Sequence, residues 1–338
     1  MNRSKAPFAS VIQVALDLDC SDPHDAGFIE AFIPISLIMT AWKQAILEWR
    51  ALPEEERHRR RVLGLPRKVA RSMALEGEPV SAEMLEEIVE RDYPELFAAV
   101  PGATAARFAL VGPSLPPVEE ALCVGECLRQ AVMSLAGKVL GNTRIPAVLS
   151  GHDLPAGNRH GHAFYLAEDA DGDGRIDHLT VYVPGGVDQE CHRVLVRLTR
   201  LWKREGQSWR VLLEAVSDTN VFAGSSTLFG IGRRWTSVTP YLHPWHMKKK
   251  FTVTDQIRRE CKERALPEIR HLVRLPSIKI QGRELRPVHF HRSRVKRNLV
   301  QPDTRGSFWC IEFAGPVQGP LALGFACHFG LGLFGRAD

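Results

Sequence analysis

The sequence predicts an α+β protein made of tandem ferredoxin-like (RRM-like) units of order β-α-β-β-α-β, with a glycine-rich loop at its C-terminal end. Three observations predict it. Between residues 106 and 216, period-two runs and apolar stripes at spacings of three and four succeed one another in that order. From residue 235 onward, a second and less regular copy of the order follows, without a residue-level repeat. The chain then closes on "LGFACHFGLGLFG", where Gly324, Gly330 and Gly332 punctuate an apolar run. The expected division is an N-terminal α/β region over 1–104, a first unit over 105–218 and a second, basic unit over 219–338.

In the first region "VIQVALDLD" alternates as a strand, and "GFIEAFIPISLIMTAWKQAILEW" reads as an apolar helix interrupted near Pro34. "RALPEEERHRRRVLGLPRKVARS" is highly charged and expected to be exposed. "SAEMLEEIVERDYPELFAAV" carries a helix with Ser81 as its cap and Glu83 in its first turn. "PGATAA" is the boundary.

In the first unit "ARFALVG" is a short strand. "PPVEEALCVGECLRQAVMSLAGKVL" is a helix with proline at its start and Val118, Leu122, Gly125 and Leu128 along one stripe. The loop "LSGHDLPAGNRHG" leads to the strands "HAFYLAE" and "DHLTVYVP", joined by an acidic turn. "VDQECHRVLVRLTRLWKREG" is read as one helix, because Val194, Leu195, Leu198, Leu201 and Trp202 recur at three and four. "SWRVLLEAV" closes the unit as a strand. In the second unit "WTSVTPYL", "VRLPSIKI", "RPVHFHRSR" and "SFWCIEFAG" are strand-like, and "TVTDQIRRECKERAL" is a helix.

Composition is that of a globular chain, 44% apolar and 25% charged. No run reaches the 18 or so apolar residues that a membrane helix needs, and the opening lacks a secretory leader. Cys20, Cys123, Cys127, Cys191, Cys261, Cys310 and Cys327 are scattered, odd in number and free of C-x-x-C pairs, which suits reduced thiols in the cytoplasm. Charge is uneven. Arg193 to Arg305 holds 25 Lys and Arg against 9 Asp and Glu, which leaves 19 basic and 30 acidic residues elsewhere. A basic half suggests a polyanion. Its candidate contacts are Arg233, Arg234, Lys248, Lys249, Lys250, Arg292, Arg294, Lys296 and Arg297, with Trp235 as an aromatic face for unpaired bases. Gly324, Gly330 and Gly332 would let backbone amides approach a ligand closely.

"DADGDGRIDH" resembles a calcium loop, with Asp169, Asp171, Asp173, Gly174 and Asp177 at the expected offsets. The twelfth position is Thr180 where a bidentate glutamate is needed, and strands flank the loop in place of helices. It therefore reads as an acidic hairpin turn; those four aspartates are the carboxylates that would hold an ion if one bound. Near it stand His152, His160, His162 and His178, candidates for general acid and base work. "HGH" also has the i, i+2 spacing of a metal-ligand pair on a strand, with no third ligand at a familiar zinc spacing.

"VLSGHD…HAFYLAEDADGDGRIDHLTVYVPGG" together with "GPLALGFACHFGLGLFG" resembles the CRISPR-associated RAMP superfamily of subtype I-G (formerly I-U) systems. The likeness is to the repeat-RNA-processing half of a fused backbone and processing subunit, and it runs from about Ala105 to the end. It implies metal-independent cutting of CRISPR precursor RNA by attack of a ribose 2′-OH, with no cofactor. It implies repeat RNA, crRNA and other subunits of a type I surveillance complex as partners. His152 and His160 come first for catalysis, then His162 and His178, and the three glycines would line the RNA. A non-catalytic crRNA-binding subunit, and a metal-dependent hydrolase using the histidines and the aspartate loop, are the alternatives.

Overall fold

The computed structural model describes residue 50 and residues 54–152, 154, 160–203, 206–294 and 301–337. The strand expected in "VIQVALDLD" and the apolar helix after it lie outside the described residues, as do Lys296 and Arg297. The fold is α+β, with antiparallel sheets and helices, and it divides into two compact units, Met1–Phe97 and Ala98–Asp338. Among the described residues no helix is long and apolar enough to cross a membrane.

In the first unit, the charged stretch expected to be exposed is helix α1, Glu54–Leu75, which buries Val62 and Leu65 at i, i+3. Helix α2, Ala82–Asp92, packs against it through Leu85 and Val89. Ser81 caps α2 as expected, its Oγ accepting from the Met84 amide at 3.2 Å.

The second unit holds two five-stranded sheets. The first comprises β1 (Ala105–Val111), β2 (Phe164–Glu168), β3 (His178–Tyr182), β4 (Arg200–Trp202) and β5 (Ser208–Ser217), in the order β2-β3-β1-β5-β4. Helix α3, Ala121–Leu140, packs along β2 and buries Leu122, Gly125 and Leu128 of the predicted stripe. Val118 is buried in the 3-10 turn ahead of it. A one-turn helix α4, Ala147–Ser150, follows, and helix α5, Gln189–Leu195, lies between β3 and β4.

The expected twenty-residue helix from Val187 is a correction. It starts on its Asp188 cap but ends at Leu195. The backbone at 199–203 pairs with that at 207–211 as a β4–β5 hairpin instead, with Val211 N on Thr199 O at 2.9 Å and Lys203 N on Gln207 O at 2.8 Å. Leu201 stays buried because a strand pairing serves its burial as well as a helix would, and Leu198 is buried in the turn that follows α5, its amide on Leu195 O at 3.1 Å.

The second sheet has the order β11-β12-β6-β10-β7. Its strands are β6 (Ile231–Ser237), β7 (Ile269–Leu275), β10 (Phe308–Gln318), β11 (Leu321–Ala322) and β12 (Leu333–Arg336). Helix α6, Val253–Glu263, opens on a capping box between Thr252 and Asp255 and buries Ile257 and Cys261 against Trp235, Ile311 and Phe313. A separate hairpin of β8 (Ile278–Ile280) and β9 (Arg283–Leu285) rests on Val118 and Phe308. "VRLPSIKI" is thus two strands. "RPVHFHRSR" is no strand but a 3-10 turn, Pro287–His289, followed by irregular chain. Proline at the start of the turn and the anchoring of Phe290 in the β8–β9 cluster fix that path. The face of the first sheet that carries Phe164 and Leu166 is covered by Leu228, Phe229, Ala322, Cys327 and Leu333, so the two sheets share a core.

Candidate active site

Two segments remote in sequence meet at the edge strand β2. The first runs from α4 into β2. Tyr165 Oη donates to Leu149 O at 2.8 Å and Ala163 N to Val148 O at 2.6 Å, which ties α4 to the strand. Gly151 ends α4 at φ 74°, and a Cβ there would lie 2.9 Å from the His162 ring. The second segment is the 3-10 turn Cys327–Phe329 between β11 and β12, flanked by left-handed residues Ala326 and Gly330. Gly125 on α3 admits the Phe329 carbonyl into close contact, where any side chain would collide.

This docking stacks four rings. His328 lies between His162 and Phe164, with centroid distances of 3.7 and 3.8 Å. The His160 ring is parallel to it at 5.5 Å. His328 Nδ1 is 3.1 Å from Ala163 O, and His328 Nε2 is 3.2 Å from His160 Nδ1. A carbonyl only accepts, so Nδ1 of His328 carries its proton. Burial first, and the neighbouring His162 next, push the His328 pKa down to about 2, so the ring is neutral and its Nε2 is an acceptor. His160 Nδ1 must then donate, which sets Nε2 as the basic nitrogen of His160.

His162 is also held below the usual histidine range, by burial and then by Arg129 and His152, and its Nδ1 is buried without a hydrogen-bond partner among the described residues. His152 is exposed, with its amide on Ser150 Oγ at 3.2 Å. Arg129 donates to Ser150 O at 2.8 Å, and Arg294 donates to Glu126 at 2.6 Å with its guanidinium 3.8 Å over the Phe329 ring. The site thus has one oriented base, further histidines and two cations.

His160, Cys327 and His328 place ligand atoms within 4.8 Å of one another. Burial holds the Cys327 thiol up at about 11 despite Arg264, whose Nη2 lies 3.5 Å from Sγ, and the His328 nitrogens are engaged as described. In the aspartate loop Gly174 N bonds to Asp169 Oδ2 at 2.9 Å, Asp173 N to Asp171 Oδ1 at 3.0 Å, and Ala170 N to Asp177 Oδ1 at 2.9 Å, while Asp169 Oδ1 is buried without a partner among the described residues and Asp169, Asp171 and Asp173 bring carboxylate oxygens within 4.8 Å of one another. It forms the β2–β3 turn, and burial raises the Asp169 pKa to about 6.

The remaining expected residues fall elsewhere. His178 starts β3 in a charge network: its Nε2 is 3.2 Å from Glu214 and its Nδ1 2.9 Å from Asp177, while Arg107 bridges Glu214 and buried Glu168. Burial alone would lower its pKa, but the two carboxylates raise it to about 9, which makes it a standing cation and an unsuitable base. Arg233 and Arg234 are exposed on β6, and Lys248, Lys249 and Lys250 on a turn. Arg292 clasps Thr304 O and Arg305 O at 2.7 and 2.6 Å.

Trp235 is a correction: it is 0% exposed in the core, so it offers no face to a base. The glycines are another. Gly324, Gly330 and Gly332 sit at φ 89°, 88° and 58°, turned toward their own chain, and a Cβ on Gly324 would meet Leu242 O at 2.5 Å. Sequence reasoning does not single out His328 or Arg129. His328 is the sole charged or imidazole side chain between Gln318 and Arg336, which is the signal the sequence held. No protein-family model matches the chain, and a search of curated proteins finds none that matches it.

Proposed function

We propose that the chain is a CRISPR repeat-RNA processing endoribonuclease, acting in the cytoplasm and retained with crRNA in a type I surveillance complex. The resemblance of the histidine and glycine-rich segments supports the family, and the basic second half supports an RNA partner. Both sheets are read as ferredoxin-like. The strand orders β2-β3-β1-β5 and β7-β10-β6-β12 each follow the split β-α-β pattern, the second with the Cys327–Phe329 turn in place of its second helix.

The single observation that carries the catalytic reading is the directional pair of His160 and His328. His160 Nε2 takes the proton from the ribose 2′-OH while that oxygen bonds to the adjacent phosphorus. The P–O5′ bond breaks, and His152 returns a proton to O5′, leaving a 2′,3′-cyclic phosphate and a 5′-OH. Arg129 faces the extra negative charge of the phosphorane-like transition state. His328 touches no reacting atom and is a positioning residue.

The test incubates the purified chain with labelled repeat RNA from its own locus in excess EDTA, beside a copy with a 2′-deoxy sugar at the cut. Cleavage of the all-ribose RNA alone, with a cyclic-phosphate end, is expected. His160→Ala should slow it by about 10²–10⁴-fold. Binding without cleavage, whether or not a divalent metal restores cutting, would overturn the reading in favour of a crRNA-holding subunit or a metal-dependent hydrolase.

A further inference from the structure

An open pocket of about 550 Å³ lies where β7 ends and β10 begins, away from the histidine stack. Arg274, Arg286 and Arg305 line it from three separate segments, with Leu275, Pro287 and Val288. No acidic residue lines the pocket, and none of the three guanidiniums pairs with a carboxylate among the described residues. All three arginines are exposed, and Val288 is 58% exposed.

The backbone beneath them is fixed. Asp303 Oδ1 accepts from the amides of Arg305 and Gly306 at 2.8 and 3.2 Å, and the Arg292 clasp holds the carbonyls of Thr304 and Arg305. Gly306 sits at φ 72°, where a Cβ would be 3.0 Å from Leu242. Arg286 N bonds to His289 Nδ1 at 3.2 Å, which locks the Pro287–His289 turn. Three like charges on a rigid frame without an internal counterion repel one another until an anion arrives. Guanidinium forks match phosphate oxygens, and the apolar patch beside them suits the face of a base.

We propose that this pocket binds a phosphate ester bearing a nucleobase, with the phosphate on Arg274, Arg286 and Arg305 and the base over Pro287 and Val288. The phosphate chemistry stands without the nuclease reading; the choice of an RNA chain over a free nucleotide rests on it.

The test measures fluorescence anisotropy of a labelled twelve-residue oligouridylate, and calorimetric titration with uridine 5′-monophosphate. Both use the full chain, the R274Q/R286Q/R305Q variant and each single variant. The triple variant should bind the oligonucleotide about tenfold more weakly in moderate salt, and the log–log salt slope should fall by about 0.7 for each phosphate no longer neutralised. Loss of oligonucleotide binding alone assigns the pocket to the RNA chain, and loss of the mononucleotide as well shows that one nucleotide suffices. Parental affinity and slope in the triple variant would overturn the proposal. Should the triple variant melt early, the single variants carry the same comparison. A chain that binds in this way yet never cuts RNA would defeat the nuclease reading and leave the pocket standing.

Discussion

His328 makes the acid stability of the second unit a test of the ring stack. Its folded pKa is about 2, whereas an unfolded chain gives histidine about 6.5. Below pH 6.5 the unfolded state takes up a proton that the folded state refuses. The stabilisation from keeping His328 neutral is therefore fully present above pH 6.5 and is lost as pH falls below it, by about 1.4 kcal/mol per unit. Between pH 7.5 and 4.5 the loss is about 2.7 kcal/mol. His328→Phe keeps a flat ring between His162 and Phe164 but does not titrate. At pH 7.5 it should cost about 1–3 kcal/mol, because Ala163 O loses its donor and His160 Nδ1 its acceptor. Its stability should then fall about 2.7 kcal/mol less than the parent's on going to pH 4.5. Urea denaturation at pH 7.5, 6.0 and 4.5 reads this by tryptophan fluorescence, since Trp209, Trp235 and Trp309 are buried in this unit. Acid limbs that agree within about 0.5 kcal/mol would refute the assignment of a buried neutral His328.

His178 has the opposite sign: its raised pKa stabilises fully below about pH 6.5 and the gain is lost as pH rises through about 9. His178→Gln should flatten the alkaline limb in the same urea series, and an unchanged limb would place His178 outside the charge network. Gly332→Ala combines a left-handed φ of 58° with a Cβ driven into the Leu323 carbonyl, and should cost more than about 2 kcal/mol in thermal melts. Gly172→Ala, at φ 75° with open space around it, should cost about 1 kcal/mol; equal costs would mean that packing of the glycine-rich segment is loose. Trp235→Ala should lose about 3–5 kcal/mol as a core truncation, whereas Trp202→Ala, 60% exposed, should stay within about 0.5 kcal/mol of the parent in the same melts.

The order of elements from β1 to β5 was legible because clean alternation and clean helical stripes took turns. It failed where one pattern serves two structures. Leu201 and Trp202 fit a helical stripe and also fit the β4–β5 hairpin, and only the pairing of Lys203 with Gln207 decides between them. A basic residue stands next to both Trp202 and Trp235, so composition could not say which ring is exposed. Pairing does: Trp235 lies opposite Ile311 within the sheet, and Trp202 opposite Ser208 on the edge strand β4. The glycines of the C-terminal segment were visibly special, but their partners are Leu242, Leu323 and Ala121, all in the chain's own backbone. His328 could not be paired from sequence with His160, because 168 residues separate them.

For the proposed reaction, three of the four candidate histidines can be ranked as bases by their neighbours. A base needs a nitrogen able to take a proton and a neighbour that favours the resulting charge. His178 already holds its proton between Asp177 and Glu214. His162 stacks on His328 and faces Arg129, so a proton there would meet another cation and a desolvated pocket. His160 alone donates to an acceptor that burial keeps neutral, and that hydrogen bond becomes charge-assisted when His160 is protonated. The selection depends on the docking of the Cys327–Phe329 turn against β2 and α3. Gly125 enables that docking by letting the Phe329 carbonyl pass where a side chain would stand. The pairing that orients the base therefore forms only when both sheets are folded and joined.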